Sequence, residues 1–136
     1  MNSKHAIISI LKTSAFISEM ILSGLKPYEI SEQQFNVLRI LRGQKGIAAN
    51  LFTVQDRMVH KMSNTTRLID KLIQKKLVKR NVCIKNRRKI ELFITEDGLD
   101  FLKKIDPITD EIEKKVLKNI SSKDLNSLIS ILNSIN

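Results

Sequence analysis

The hydrophobic period of this chain changes at Leu77 and changes back at Thr95. Up to Leu77 apolar residues recur near the helical period of about 3.6 residues, from Val78 to Ile94 they alternate, and beyond Thr95 the helical spacing returns. The alternating stretch reads as two strands, Val78, Arg80, Val82, Ile84 and then Ile90, Leu92, Ile94, joined by Lys85 to Lys89. The fold class is therefore mainly α with a small β-hairpin. At 136 residues and 42% hydrophobic content the chain suffices for one core and one compact domain.

Helix-start signals divide the remainder. Ile7, Ile10, Leu11, Ile17, Met20 and Ile21 give a first helix over Ala6 to Ile21, ending before Gly24 and Pro27. Ser31 with Gln34 has capping-box spacing, and Ile30 with Phe35 the spacing of a hydrophobic staple; a helix carrying Phe35, Val37, Leu38 and Leu41 follows and ends near Gly43. Thr53 with Asp56 predicts a short helix through Val54 and Met58, and a turn around His60 to Met62 leads to another helix. That helix turns Leu68, Ile69, Leu72 and Ile73 inward, with Asn64, Arg67, Lys71 and Gln74 on the opposite face. Thr95, Glu96 and Asp97 suit the start of a long helix. Asp106 before Pro107 reads as a cap and first-turn proline, so this helix is expected to kink or restart there. Ser121 with Asp124 opens the last helix, striped by Leu125, Leu128, Ile129, Leu132 and Ile135.

Charge singles out one part of this order. Residues 57–91 hold twelve Lys or Arg against two acids, Asp70 and Glu91, while the other residues sum to zero. A field that local answers an extended polyanion, and nucleic acid is the commonest in a cell. Helix, short helix, turn, helix and basic hairpin form the order of a winged helix-turn-helix, whose second helix enters the major groove while the hairpin reaches phosphates or the minor groove. On the helix, Ser63, Asn64, Thr65, Thr66, Arg67 and Lys71 are the candidate contacts: Asn pairs well with adenine and Arg with guanine, and Thr65 is equally placed to pack inward. On the wing they are Lys85, Arg87, Arg88 and Lys89. Lys75 and Lys76, near the helix end, serve either DNA or the helix dipole. Asp70 is expected to pair with a wing arginine such as Arg88 and so hold helix and wing together.

The run from Ile30 through Gly98 resembles the winged-helix region of MarR-type transcriptional regulators. The resemblance rests on Ser31-Glu32-Gln33-Gln34-Phe35-Asn36-Val37-Leu38, Arg67-Leu68-Ile69-Asp70-Lys71-Leu72, Leu77-Val78-Lys79-Arg80 and Ile94-Thr95-Glu96-Asp97-Gly98. It implies a homodimer held by its N- and C-terminal helices on a roughly palindromic site in double-stranded DNA, often a repressor released by a small molecule or by thiol oxidation. Residues 1–29 would then be a dimerisation helix, 30–95 the DNA-binding region and 96–136 further dimerisation helices. Two departures stand out: Asn86 occupies the wing-tip position where the family usually has Asp, and the stretch from Thr53 to Asp70 is shorter than usual.

Other chemistry finds little support. One cysteine, Cys83, allows no internal disulfide, and a packed or partly exposed thiol is favoured over a redox sensor because no second cysteine could resolve a sulfenic acid. Two histidines and four glycines suggest neither a metal centre nor a phosphate loop, so no cofactor and no catalysis are expected. Asp110 with Lys114 and Glu111 with Lys115 read as surface pairs. The apolar run Ala6 to Leu11, broken by Lys12 and Glu19, resembles neither a secretory signal nor a membrane span, which predicts a cytosolic protein. The rival reading is a winged-helix adaptor or a sequence-blind nucleic-acid binder.

Overall fold

The computed structural model describes residues 2–61, 64–86 and 89–136. Helix α1 (Asn2–Leu25) leads through a 3-10 turn (Lys26–Tyr28) to α2 (Glu32–Gly43), α3 (Leu51–Arg57) and α4 (Thr65–Gln74). Strands β1 (Val78–Val82) and β2 (Ile90–Ile94) pair antiparallel, Val78 opposite Ile94 and Val82 opposite Ile90, before α5 (Glu96–Leu117) and α6 (Ser122–Asn133).

Helix α2 is the centre of the core. Its capping box closes as expected, Gln34 N–H donating to Ser31 Oγ at 3.0 Å and Ser31 N–H to Gln34 Oε1 at 3.1 Å. Phe35, Val37, Leu38 and Leu41 are all buried, packed with Val54, Ile69, Leu72, Val78, Leu92, Leu102 and Ile105. One hydrophobic cluster thus joins the helix-turn-helix, the foot of the hairpin and the first half of α5. Each element is held to α2 by apolar side chains, which fixes where their polar faces point.

Several boundaries differ from expectation. Helix α1 starts earlier and runs through Gly24, where α5 approaches so closely that a Cβ would lie 2.7 Å from Ile108 Cγ2. Helix α3 is capped by Asn50 rather than Thr53: Asn50 Oδ1 accepts from Thr53 N–H at 2.7 Å and from Thr53 Oγ1 at 2.9 Å. Helix α5 does not restart at Pro107; Asp106 is no cap, since its carboxylate takes two hydrogen bonds from Arg42 Nη1, at 3.0 and 3.1 Å. Strand β1 stops at Val82, short of Ile84. Lys114 meets Glu111 at 4.0 Å rather than Asp110. Ala49 adds a feature the alternation did not reveal, a single antiparallel bridge to Leu92 that braces the hairpin from its other side.

The terminal helices are left partly bare. Leu25 is the buried residue of α1, and α6 has none. Ile7, Leu11 and Phe16 on α1, with Ile129 and Ile131 on α6 and Ile135 just beyond it, are at least half exposed. The reading of α1 as too short and too interrupted for a bilayer is corrected: a stretch within residues 2–28 is long and apolar enough to cross one, by length and composition alone. Such a helix also fits a soluble interface, and α1 packs on α5 and α2 here.

Candidate nucleic-acid interface

The recognition-helix candidates separate into two faces. Asn64, Thr66, Arg67, Lys71 and Gln74 are exposed, while Ile69 and Leu72 are buried against α2. Thr65 is 4% exposed and turned into the fold, so it leaves the set of side chains that face a duplex. Asn64 is the N-cap of α4, its Oδ1 accepting from Arg67 N–H at 3.2 Å. The cap uses one lone pair of Oδ1 and leaves the side-chain amide donors outward. Ser63 lies outside the described residues.

The helix ends in a Schellman closure. Lys76 N–H donates to Ile73 O at 2.9 Å and Leu77 N–H to Leu72 O at 3.0 Å, with Lys76 left-handed at φ 64°. Its carbonyl accepts from Thr95 Oγ1 at 2.8 Å, tying the end of α4 to the exit of the hairpin. Lys75 Nζ donates to Glu29 O, so this lysine braces the segment before α2.

The wing leaves the core at this joint. Asp70 Oδ1 lies 3.6 Å from Arg80 Nη1, both side chains about half exposed (49% and 44%). Helix and wing are thus linked through Asp70, with Arg80 on β1 as partner; Arg88, the expected one, lies outside the described residues with Arg87. An exposed pair of this kind stabilises by less than about 1 kcal/mol, so it orients the wing more than it holds the fold. Further out, Cys83 N–H donates to Lys89 O at 3.0 Å and Lys89 N–H to Asn86 O at 2.9 Å, and Lys85 and Lys89 are exposed. Cys83 itself is partly buried.

One residue joins this surface that sequence reading did not single out as a contact. Gln33, in the first turn of α2, lines a shallow depression of about 250 Å³ with Asn64, Arg67, Leu68 and Lys71. Only the packing of α2 on α4 brings it there, and no local pattern announces that contact. Two apolar cavities lie elsewhere. One of about 640 Å³ separates α1 from α5, lined by Phe16, Met20, Ile108 and Ile112; another of about 240 Å³ sits where α1 and α5 meet α2, lined by Ile17, Ile21, Phe35, Arg39, Ile112 and Val116. Among the described residues no three His, Cys, Asp or Glu side chains gather as a metal site.

A helix-turn-helix whose second helix shows a polar and basic face, flanked by a cation-bearing hairpin, defines a winged-helix protein of the nucleic-acid-binding class. Comparison with known proteins gives the family. Residues 30–90 match the model of the MarR family. A putative MarR-like transcription regulator from Bacillus cereus ATCC 10987 superposes with a TM-score of 0.85 at 19% identity, over 98% of this chain and 95% of that one. A MarR transcription factor from Planctomyces limnophilus gives 0.74 at 27% identity, over 96% and 94%. BpsR of Bordetella bronchiseptica, whose DNA binding is regulated by 6-hydroxynicotinic acid, gives 0.81 at 19%, over 93% and 89%. The winged-helix segment belongs to the MarR family, and the chain around it has that family's fold. That match sets the winged-helix segment among the DNA-binding regions of transcription regulators.

Proposed function

We propose that the chain acts in the cytoplasm as a homodimer that binds a roughly palindromic site in double-stranded DNA, represses transcription there, and is released by a small-molecule effector. The observation that carries this reading is the exposed face Asn64, Thr66, Arg67 and Lys71, set beside a wing that Asp70 and Arg80 tie to the same helix. In the proposed complex α4 lies in the major groove. Arg67 is placed to give guanine its paired donors, and Asn64, Thr66 and Lys71, preceded by Ser63, meet neighbouring bases and phosphates. Lys85 and Lys89, with Arg87 and Arg88, follow the backbone into the adjoining minor groove.

Dimerisation follows from the bare helices. The side chains that α1 and α6 leave in water are too many for a monomer of this size to carry without a partner. A second copy covers both helices at once, and two-fold symmetry then sets the recognition helices about one turn of DNA apart. Effector release is supported by the cavity of about 240 Å³ whose wall includes Phe35 and Arg39 of α2, because a ligand there touches both a terminal helix and the helix that seats α4. The regulation of BpsR by a small aromatic acid is a precedent within the same fold.

Selection of bound duplexes from a random pool, followed by anisotropy titrations across salt and sedimentation of the free protein, tests the reading. The expected result is a dimer that holds the selected duplex at least about a thousandfold tighter than random DNA, with steep salt dependence. Equal affinity for all duplexes, or a monomer at micromolar concentration, would overturn it.

A further inference from the structure

The outer part of the hairpin carries an apolar side chain that the fold does not use. Ile84 is 98% exposed, and Val82, two residues before it, is 58% exposed. Cations surround this strip: Lys85 follows directly, and Lys89 lies across the ribbon, its carbonyl bonded to Cys83 N–H. The hairpin packs on α2, α3 and α4 through its inner end, where Val78 and Leu92 are buried, so Ile84 projects from the end that the core does not cover. A β-branched side chain held wholly in water contributes nothing to this core. Its chemistry does match one surface already implied by the wing. The minor groove is roughly 6 Å wide, with phosphates along both rims and apolar deoxyribose faces within, so a single side chain flanked by two ammonium groups fits its cross-section.

We propose that Ile84 is a specificity-determining apolar wedge for the minor groove, seated by Lys85 and Lys89 on opposite phosphate walls. It packs on deoxyribose and base edges and opens a base step, so the protein favours sites whose wing-facing step unstacks easily, as pyrimidine–purine steps do. This inference rests on the duplex-DNA reading above. It goes beyond that reading by assigning part of the sequence preference to a residue that makes no hydrogen bond to a base.

The test uses the full chain, the duplex that the wild-type protein selects from a random pool, and the same duplex labelled at its ends for energy transfer. Ile84→Ala should weaken binding about tenfold. It should leave the salt slope unchanged, because no cation is lost. It should also reduce the bend and flatten the preference for a flexible step opposite the wing. Thermal unfolding should match wild type, since an exposed side chain leaves no cavity. If Ile84→Ala binds and bends the duplex as wild type does while Arg67→Ala binds weakly, the wedge is refuted and the regulator reading stands. If the wild-type protein selects no duplex, both fall together.

Discussion

Gly98→Ala sets two effects of known size against each other at the joint between wing and α5. A Cβ at position 98 would lie 2.4 Å from Leu77 O and 2.6 Å from Ile94 Cγ1. An ordinary carbon–oxygen contact is about 3.3 Å, so the first turn of α5 must retreat by most of an ångström. That retreat pulls on two hydrogen bonds, Thr95 N–H to Leu77 O and Gly98 N–H to Thr95 Oγ1, both 3.0 Å. Overpacking of this kind costs about 1–3 kcal/mol and loosened hydrogen bonds about 1 more, whereas Ala gains about 1 kcal/mol over Gly in a helix. The net expectation is a loss of about 1–3 kcal/mol. Gly43, the last residue of α2, provides the control, because a Cβ there meets nothing within 4 Å. Gly43→Ala should be neutral or stabilising by up to about 1 kcal/mol. Urea unfolding separates the two: at a slope of about 2 kcal/mol per molar, a loss of about 2 kcal/mol lowers the midpoint by about 1 M. Protein concentration must be held fixed, since self-association shifts the midpoint. A Gly98→Ala midpoint at or above that of Gly43→Ala would refute the close-approach argument.

Three further expectations concern the interface and its supports. Arg67→Ala should cost about 1–3 kcal/mol on the selected duplex and relax base preference, while Lys89→Ala should weaken all duplexes alike and lower the salt slope by about one, both read by anisotropy; identical profiles for the two variants would contradict the division between base and phosphate. A double-mutant cycle on Arg42 and Asp106, whose side chains are 35% and 40% exposed, should give a coupling of about 1 kcal/mol, above that of an ordinary surface pair because Arg42 Nη1 reaches both carboxylate oxygens; a coupling near zero in urea melts would make the contact incidental. Leu11→Glu, at a position 63% exposed in the single chain, should give a folded monomer by sedimentation with unchanged helix content and much weaker duplex binding; a persistent dimer would remove α1 from the proposed contact.

Elements with a strong local signal were legible in the sequence. The capping box at Ser31 and the caps at Thr95 and Ser121 close where their spacing predicts, and the change of period at Leu77 marks the hairpin. The departures come from tertiary contacts that local pattern does not encode. Asp106 has the sequence context of a cap but is taken by Arg42, sixty-four residues away. Thr53 resembles a cap residue, yet Asn50, three residues earlier, accepts the Thr53 N–H and so places Thr53 inside the first turn of α3. A single-residue bridge such as Ala49 to Leu92 is too short to have a period, and Lys76 adopts a left-handed φ without the glycine that usually flags it. On the interface, helical spacing put Arg67 and Lys71 on one exposed face, whereas the inward turn of Thr65 and the approach of Gln33 depend on where α2 sits.

In the DNA complex proposed above, the cap at Asn64 limits how a preference for one target sequence could drift. A side chain there must accept the Arg67 N–H or the first turn of α4 frays, which confines the position largely to Asn, Asp, Ser and Thr. Asp would set a carboxylate against the phosphates, so three uncharged choices remain. Evolution of a new target at that corner of the groove would therefore run through Thr66, Arg67 and Lys71, whose side chains can vary without unwinding the helix that carries them.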